Sequence, residues 1–367
     1  MKPTRRISIG AIVLGSLWAC MAAGAEQVAS IPAPFMMQAM VAGKPVDGQP
    51  LVWNDQQMYL LGRDGALNEF KPSDAKNAKR YGKGFVGYSA QELKNKLRDE
   101  FDRSFEISMT PHFVVVHPHG EWREWGERLE ALYRSFTHYM SVRGFRLTEP
   151  ATPLVAVVFR TQEDYYRHAA ADGTPLPAGT LGHYSPISNR VFLFDTAENN
   201  GDADWSTNAE TIIHEATHQT AYNVGVHRRF AVQPRWLLEG LAMMFEARGV
   251  WDNASLQQQA ARINQERLGD FRSGAKNRPA DWLTRLVASD APFQSHAVSA
   301  YAEAWMLTFY LCETRPQEYS NYLARVAARP AFSDYTPQER MADFTSAFGK
   351  DLALLSAQLQ RYVDELP

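Results

Sequence analysis

Two histidines four residues apart, with a glutamate directly after the first, stand at His214, Glu215 and His218 in Thr211-Ile-Ile-His-Glu-Ala-Thr-His-Gln219. On an α-helix, residues i and i+4 lie one above the other on a single face, so both imidazoles can reach one ion. That spacing suits zinc, and Glu215, rotated round the helix by one residue, is placed to act as a general base on water at the metal. The bland alternative is a core helix whose histidines only make hydrogen bonds. Burying three polar groups on one turn is costly without partners, and a single ion satisfies all three.

This chemistry needs a helix, and the flanking residues predict one. Thr207 and Glu210 have the spacing of a capping box, no Pro or Gly interrupts residues 207–223, and Gly225 suits a stop. Ala209, Ile212, Ile213, Ala216 and Ala221 make it a buried helix. A catalytic zinc usually keeps three protein ligands and one open position, so a further ligand is required. Glu239 supplies it, in Gln233-Pro-Arg-Trp-Leu-Leu-Glu-Gly-Leu-Ala-Met-Met-Phe-Glu246. Pro234 suits the first turn of a helix, and Trp236, Leu237, Leu238, Leu241, Met244 and Phe245 make that helix strongly apolar. A carboxylate in such a run is expensive unless it binds something. Gly240 beside it would let another backbone come close. Glu246, seven residues on, shares the face of Glu239 and could orient a histidine ligand. A carboxylate at a helix end nevertheless reads first as solvent-exposed.

H-E-A-T-H followed by W-L-L-E-G-L-A, with twenty residues between His218 and Glu239, resembles the gluzincin metallopeptidases. The Trp-Leu-x-Glu-Gly-x-Ala wording is close to the aminopeptidase-like branch. More narrowly, the chain is similar to a group of secreted bacterial proteins of unassigned function with an aminopeptidase-like catalytic core. That similarity also draws on Thr110-Pro-His-Phe-Val-Val-Val, Leu154-Val-Ala-Val-Val-Phe, Gly182-His-Tyr, Asn189-Arg-Val and Tyr301-Ala-Glu-Ala-Trp305, over residues 85–315. The resemblance implies a zincin-like fold, one zinc per chain on His214, His218 and Glu239, Glu215 as the base, and a peptide or protein substrate. It places Tyr301 where gluzincins stabilise the oxyanion; a half-buried helix aromatic with its hydroxyl at the surface is the competing reading. It also implies that an edge strand within residues 182–192 pairs with substrate. The chain lacks the Gly-x-Met-Glu-Asn segment by which aminopeptidases hold a free amino terminus. Met243 stands where thermolysin-like enzymes have an Asp four residues after the glutamate ligand.

The chain has 367 residues, 45% of them hydrophobic and 22% charged, which is ordinary for a protein with a substantial core. Lys2, Arg5 and Arg6 precede an apolar run from Ile7 to Trp18 and then Ala23-Gly24-Ala25. This is the pattern of a secretory signal peptide over residues 1–25, and the run is too short for a transmembrane anchor. The protein is therefore expected to be exported, periplasmic or extracellular. Leu17-Trp-Ala-Cys20 offers the minor alternative of a lipid anchor at Cys20. Removing the leader takes three positive charges and moves the formal balance from −3 to −6. With no basic tract, a nucleic-acid partner is not expected, and no long apolar stretch follows that would make a transmembrane helix. Cys312, in a helical core pattern, reads as a buried small hydrophobe.

Along the chain, residues 26–84 read as a linker (26–48, where Met36, Met37 and Met40 suit packing better than soft-metal binding) and a small β element (51–71). Residues 85–252 read as an αβ zinc-binding subdomain carrying the catalytic helices. Its strands are expected at His112 to His117, Val155 to Phe159 and Asn189 to Phe194, and its helices at Ala90 to Phe101, Trp122 to Val142 and Gln162 to Ala171. Residues 253–367 read as an all-helical subdomain, broken at Gly269, Pro279, Pro292, Pro316 and Pro330. His117 and His119 are assigned to a surface loop. The fold class is therefore α+β and zincin-like: a small N-terminal β element, a mixed sheet with flanking helices, a helical C-terminal part, and a zinc helix between these last two parts, with the cleft between them. The functional expectation is a secreted zinc metallohydrolase, a gluzincin-type peptidase. The rival is a catalytically silent zinc-containing binding or assembly module of the cell envelope, against which intact Glu215 speaks.

Overall fold

Backbone hydrogen bonds organise the described chain into 13 α-helices and two five-stranded sheets. The computed structural model describes residues 33–120, 122–195, 205–251 and 258–367. The expected leader and Cys20 lie outside them. By contacts, the described residues up to Glu130 together with 149–195 form one unit, and residues 131–148, 205–251 and 258–367 form another.

The first sheet of the first unit comprises Met36–Val41 (β1), Lys44–Trp53 (β2), Met58–Gly62 (β3), Leu67–Phe70 (β4) and Ala75–Tyr81 (β5), in the order β4-β3-β2-β1-β5. Residues 36–48 are thus a hairpin and not a linker. Ala42 and Gly43 turn it with φ of 49° and 79°, the left-handed pair that matches strand twist in a two-residue hairpin. Met37 packs with Ala39, Met58, Leu60 and Phe70 in a small core. β5 carries Lys76, Lys79 and Arg80 on an exposed edge, where charge disfavours addition of a further strand.

Ala90–Glu100 (α1) starts at a reciprocal capping box between Ser89 and Glu92. Phe105–Met109 (β6), Phe113–Pro118 (β7), Trp122–Ser141 (α2), Leu154–Phe159 (β8), Gln162–Ala171 (α3), Gly182–Ser185 (β9) and Arg190–Phe194 (β10) follow. The second sheet runs β6-β7-β8-β10-β9, parallel through β7-β8-β10 and antiparallel at both edges. β7 and β8 are buried along their whole length, as central strands covered on both faces must be. His117 lies in β7 and is buried, with Nδ1 against the Pro118 carbonyl, so it does not belong to a surface loop. His119 is exposed and pairs with Glu106 at 2.8 Å.

The second unit is helical. Trp205–Asn223 (α4), Arg235–Glu246 (α5) and Arg248–Trp251 (α6) come first, then Gln265–Ser273 (α7), Trp282–Ala288 (α8) and Ala291–Ser295 (α9). Ala297–Thr314 (α10), Pro316–Ala327 (α11), Pro337–Phe348 (α12) and Leu352–Glu365 (α13) complete it. α4 already includes Thr207, so that residue is not its cap. Pro234 is the residue before α5, and Gly269 sits inside α7 without breaking it. There it faces open space, and an internal glycine costs a helix only about 1 kcal/mol. α5 packs against both α4 and α10. Gly240 sets the second approach: a Cβ there would meet the Thr308 hydroxyl and stand 2.5 Å from the Ala304 carbonyl oxygen. No helix among the described residues is long and apolar enough to cross a membrane.

Candidate metal centre

α4 and α5 bring His214, His218 and Glu239 together, all buried, as a cluster that could hold a metal ion. The separations are 3.2 Å between the two Nε2 atoms, 3.3 Å from His214 Nε2 to Glu239 Oε2, and 3.8 Å from His218 Nε2 to the same oxygen. Donors bonded at about 2.0–2.2 Å to one tetrahedral ion stand about 3.3–3.6 Å apart, so the triangle has the size such an ion requires. Glu239 is 0% exposed, and neither carboxylate oxygen makes a hydrogen bond among the described residues. A buried carboxylate is unfavourable unless cations face it; Arg235 Nε stands 3.6 Å from Oε1, and Oε2, the oxygen towards the two histidines, is the one left for a metal. The residues therefore fit a metal. Two imidazoles and a carboxylate also suit non-haem iron, so the donors alone do not fix which metal binds.

The local electrostatics point the same way. Burial would raise the Glu239 pKa, but the imidazoles of His214 and His218 and the charge of Arg235 hold it below the usual carboxylate range. Burial opposes charge on His214 too, yet Glu239 and Glu246 on either side of its ring raise its pKa to about 10. His218 is pushed down by burial, with Glu239 working against that. Three carboxylates, Glu215, Glu239 and Glu246, thus act on His214, and the charge of Arg235 acts on Glu239.

His214 Nδ1 lies 2.7 Å from Glu246 Oε1. Glu246 Oε2 accepts a 2.8 Å hydrogen bond from Asn264 Nδ2, and Asn264 also caps α7 through Arg267 N. Glu246 is thus placed to orient the His214 ring, and with a metal held at the cluster it would leave Nε2 as the nitrogen facing the ion. The reading of it as an exposed helix-end carboxylate is corrected. Seven residues place Glu246 on the Glu239 face, but Asn264 is too remote in sequence to have been tied to it. For His218, Nδ1 has no hydrogen-bond partner among the described residues.

Glu215 is buried on α4 between the two histidines, and its charge reaches both His214 and Tyr301. Tyr301, on α10, is half-buried and accepts a 2.8 Å hydrogen bond from Arg235 Nη2. Burial, and then the charge of Glu239, raise its pKa above the ordinary value, with Arg235 offsetting part of this. Its hydroxyl is thus engaged by Arg235, which also pairs with Glu239. Arg235 stands four residues before Glu239, one helical turn away, a spacing that the sequence already contains. Met36 and Met37 are buried in the other unit and Cys312 is buried in α10, none of them near these ligands in sequence.

A search among curated proteins found no match. Residues 208–333, roughly a third of the chain, match a family described as "protein of unknown function (DUF1570)", and that stretch contains His214, Glu215, His218, Arg235, Glu239, Glu246, Asn264 and Tyr301.

Proposed function

We propose that this protein is a zinc-dependent hydrolase of peptide bonds, exported from the cytoplasm by its N-terminal leader. The observation that carries the reading is the buried His214–His218–Glu239 triangle with a second carboxylate, Glu215, on the same helix face region. A site that only held metal for stability would have no use for that extra buried acid. The H-E-x-x-H spacing favours zinc over the other metals the donors allow.

Held by these three residues, zinc would acidify water and polarise a carbonyl. Glu215 takes the proton from the attacking water and returns it to the departing amine. Glu246 keeps His214 in the tautomer whose Nε2 is free for the metal. Tyr301, protonated well into the alkaline range, donates its hydrogen to the carbonyl oxygen as negative charge collects there.

Metal analysis and a peptide-library cleavage assay on wild type and Glu215→Gln test this. The expectation is one zinc per chain in both, with cleavage lowered at least about a hundredfold in the variant. Wild type that holds iron instead of zinc, or that binds zinc and cleaves no peptide that Glu215→Gln leaves intact, would overturn it. The second outcome would favour a silent binding module.

A further inference from the structure

Arg235 opens α5 one turn before Glu239 and touches three features of the site at once. Its Nη2 donates to the Tyr301 hydroxyl at 2.8 Å, and its Nε stands 3.6 Å from Glu239 Oε1, an ion-pair distance longer than a hydrogen bond. Its guanidinium carbon lies 5.1 Å from the centre of the Phe293 ring. The backbone below it is anchored too: Arg235 N donates to Asp290 Oδ1 at 2.9 Å, and Asp290 is gripped by Arg340 through both oxygens, at 2.8 and 3.2 Å. A long side chain held at so many points has lost its freedom already, so little further ordering is required during a reaction.

Guanidinium has five N–H donors and no acceptor, so in this contact the tyrosine oxygen must accept. Tyr301 is then left with its own O–H bond directed away from Arg235. A tyrosine without that neighbour could turn its proton towards Glu239, whose charge acts on it, and would then be oriented for the wrong partner. We propose that Arg235 is a positioning residue that holds the Tyr301 hydroxyl as a donor to the reaction's oxyanion, in register with the metal ligand Glu239. This rests on the hydrolytic reading above. Two prongs of one planar group span tyrosine and carboxylate, which a lysine ammonium cannot reproduce with the same reach and geometry. Arg235 itself touches no reacting atom.

Wild type, Arg235→Met, Arg235→Lys, Tyr301→Phe and the Arg235→Met/Tyr301→Phe double variant are compared in two measurements. The first is thermal stability of the chelator-treated protein, which needs no turnover. The loss in the double variant should be smaller than the sum of the single losses, because both remove one contact. The second is kinetics of the zinc-loaded protein on a fluorogenic peptide mixture, with zinc content confirmed for each variant. Arg235→Met should lose about a hundredfold in kcat, as should Tyr301→Phe, with KM within about threefold of wild type. The double variant should be no slower than Tyr301→Phe, and Arg235→Lys should stay close to Arg235→Met.

Arg235→Lys at wild-type kcat overturns the assignment, because charge alone would then suffice. So does a double variant in which the two kinetic losses multiply, or additive stability losses in the metal-free protein. If wild type cleaves nothing while the stability losses are coupled, the hydrolytic reading fails, and the Arg235–Tyr301 contact is only structural. If wild type turns over and the losses are additive, the Arg235 assignment fails alone.

Discussion

His183 and His214 are both buried, one in each unit, and their surroundings drive them in opposite directions. His183 lies in β9, stacked on Phe192 with its Nδ1 2.9 Å from the Tyr165 hydroxyl, and burial lowers its pKa to about 4. His214 has a carboxylate on each ring nitrogen, and its pKa is raised to about 10. Burial is common to both, so it does not make a histidine functional. The partners decide: aromatic walls and a hydroxyl keep one imidazole neutral and inert, whereas carboxylates prepare the other for a cation.

The first way to break this contrast is to remove a ligand. His218→Ala should weaken zinc binding about a thousandfold by chelator competition, whereas His183→Ala should leave zinc affinity at the wild-type value. Equal losses in the two variants would mean that the metal depends on the fold as a whole rather than on the triangle. A smaller effect is expected at the residue that orients a ligand. Glu246→Gln should cost about 10–100-fold in zinc affinity, because His214 loses its carboxylate partner while all three ligands stay in place. An unchanged dissociation constant would return Glu246 to the surface carboxylate that its sequence suggests.

The smallest effect sharpens the other side. The folded-state pKa of His183 is about 4, below the unfolded value of about 6.5, so the unfolded chain takes up the proton first. Its contribution to stability is whole above pH 6.5, declines as pH falls through that window, and levels off below 4. Between pH 7.5 and 5.5 the expected loss is on the order of 1 kcal/mol. Urea unfolding of wild type and His183→Gln over that range measures it as a difference. Identical pH profiles would show that His183 is not held neutral.

How much of this the sequence disclosed follows from the range of each interaction. His214, Glu215 and His218 are fixed by a single helical turn, and Glu239 is conspicuous because a carboxylate has no ordinary business inside Trp-Leu-Leu-Glu-Gly-Leu-Ala. Glu246 and Arg235 are harder. Each is a charged residue at an end of α5, where solvent is the default neighbour, and each acquires its role from a partner on another element, Asn264 or Tyr301. The central strands of the second sheet were legible from the apolar runs Phe113–Val116 and Leu154–Phe159, whereas the edge strand β6, Phe-Glu-Ile-Ser-Met, was not. β1 and β5 were not. β1 is rich in methionine, a weak strand signal, and β5 lacks an alternating apolar face because, as an edge strand, it buries almost nothing. Thr207 misled for a related reason: an S/T-x-x-E pattern marks a helix start only where the helix does not already exist.

The near-contact at Gly240 has a consequence for how this protein can vary through descent. Glu239 and Tyr301 lie on helices whose spacing is set where Gly240 meets Ala304 and Thr308. A methyl group at position 240 would act as a shim, pushing apart two functional groups that it touches neither by charge nor by hydrogen bond. A smaller residue at 308 would relieve only the hydroxyl contact, because the Ala304 oxygen belongs to the backbone, so lineages that use the site should keep glycine at 240.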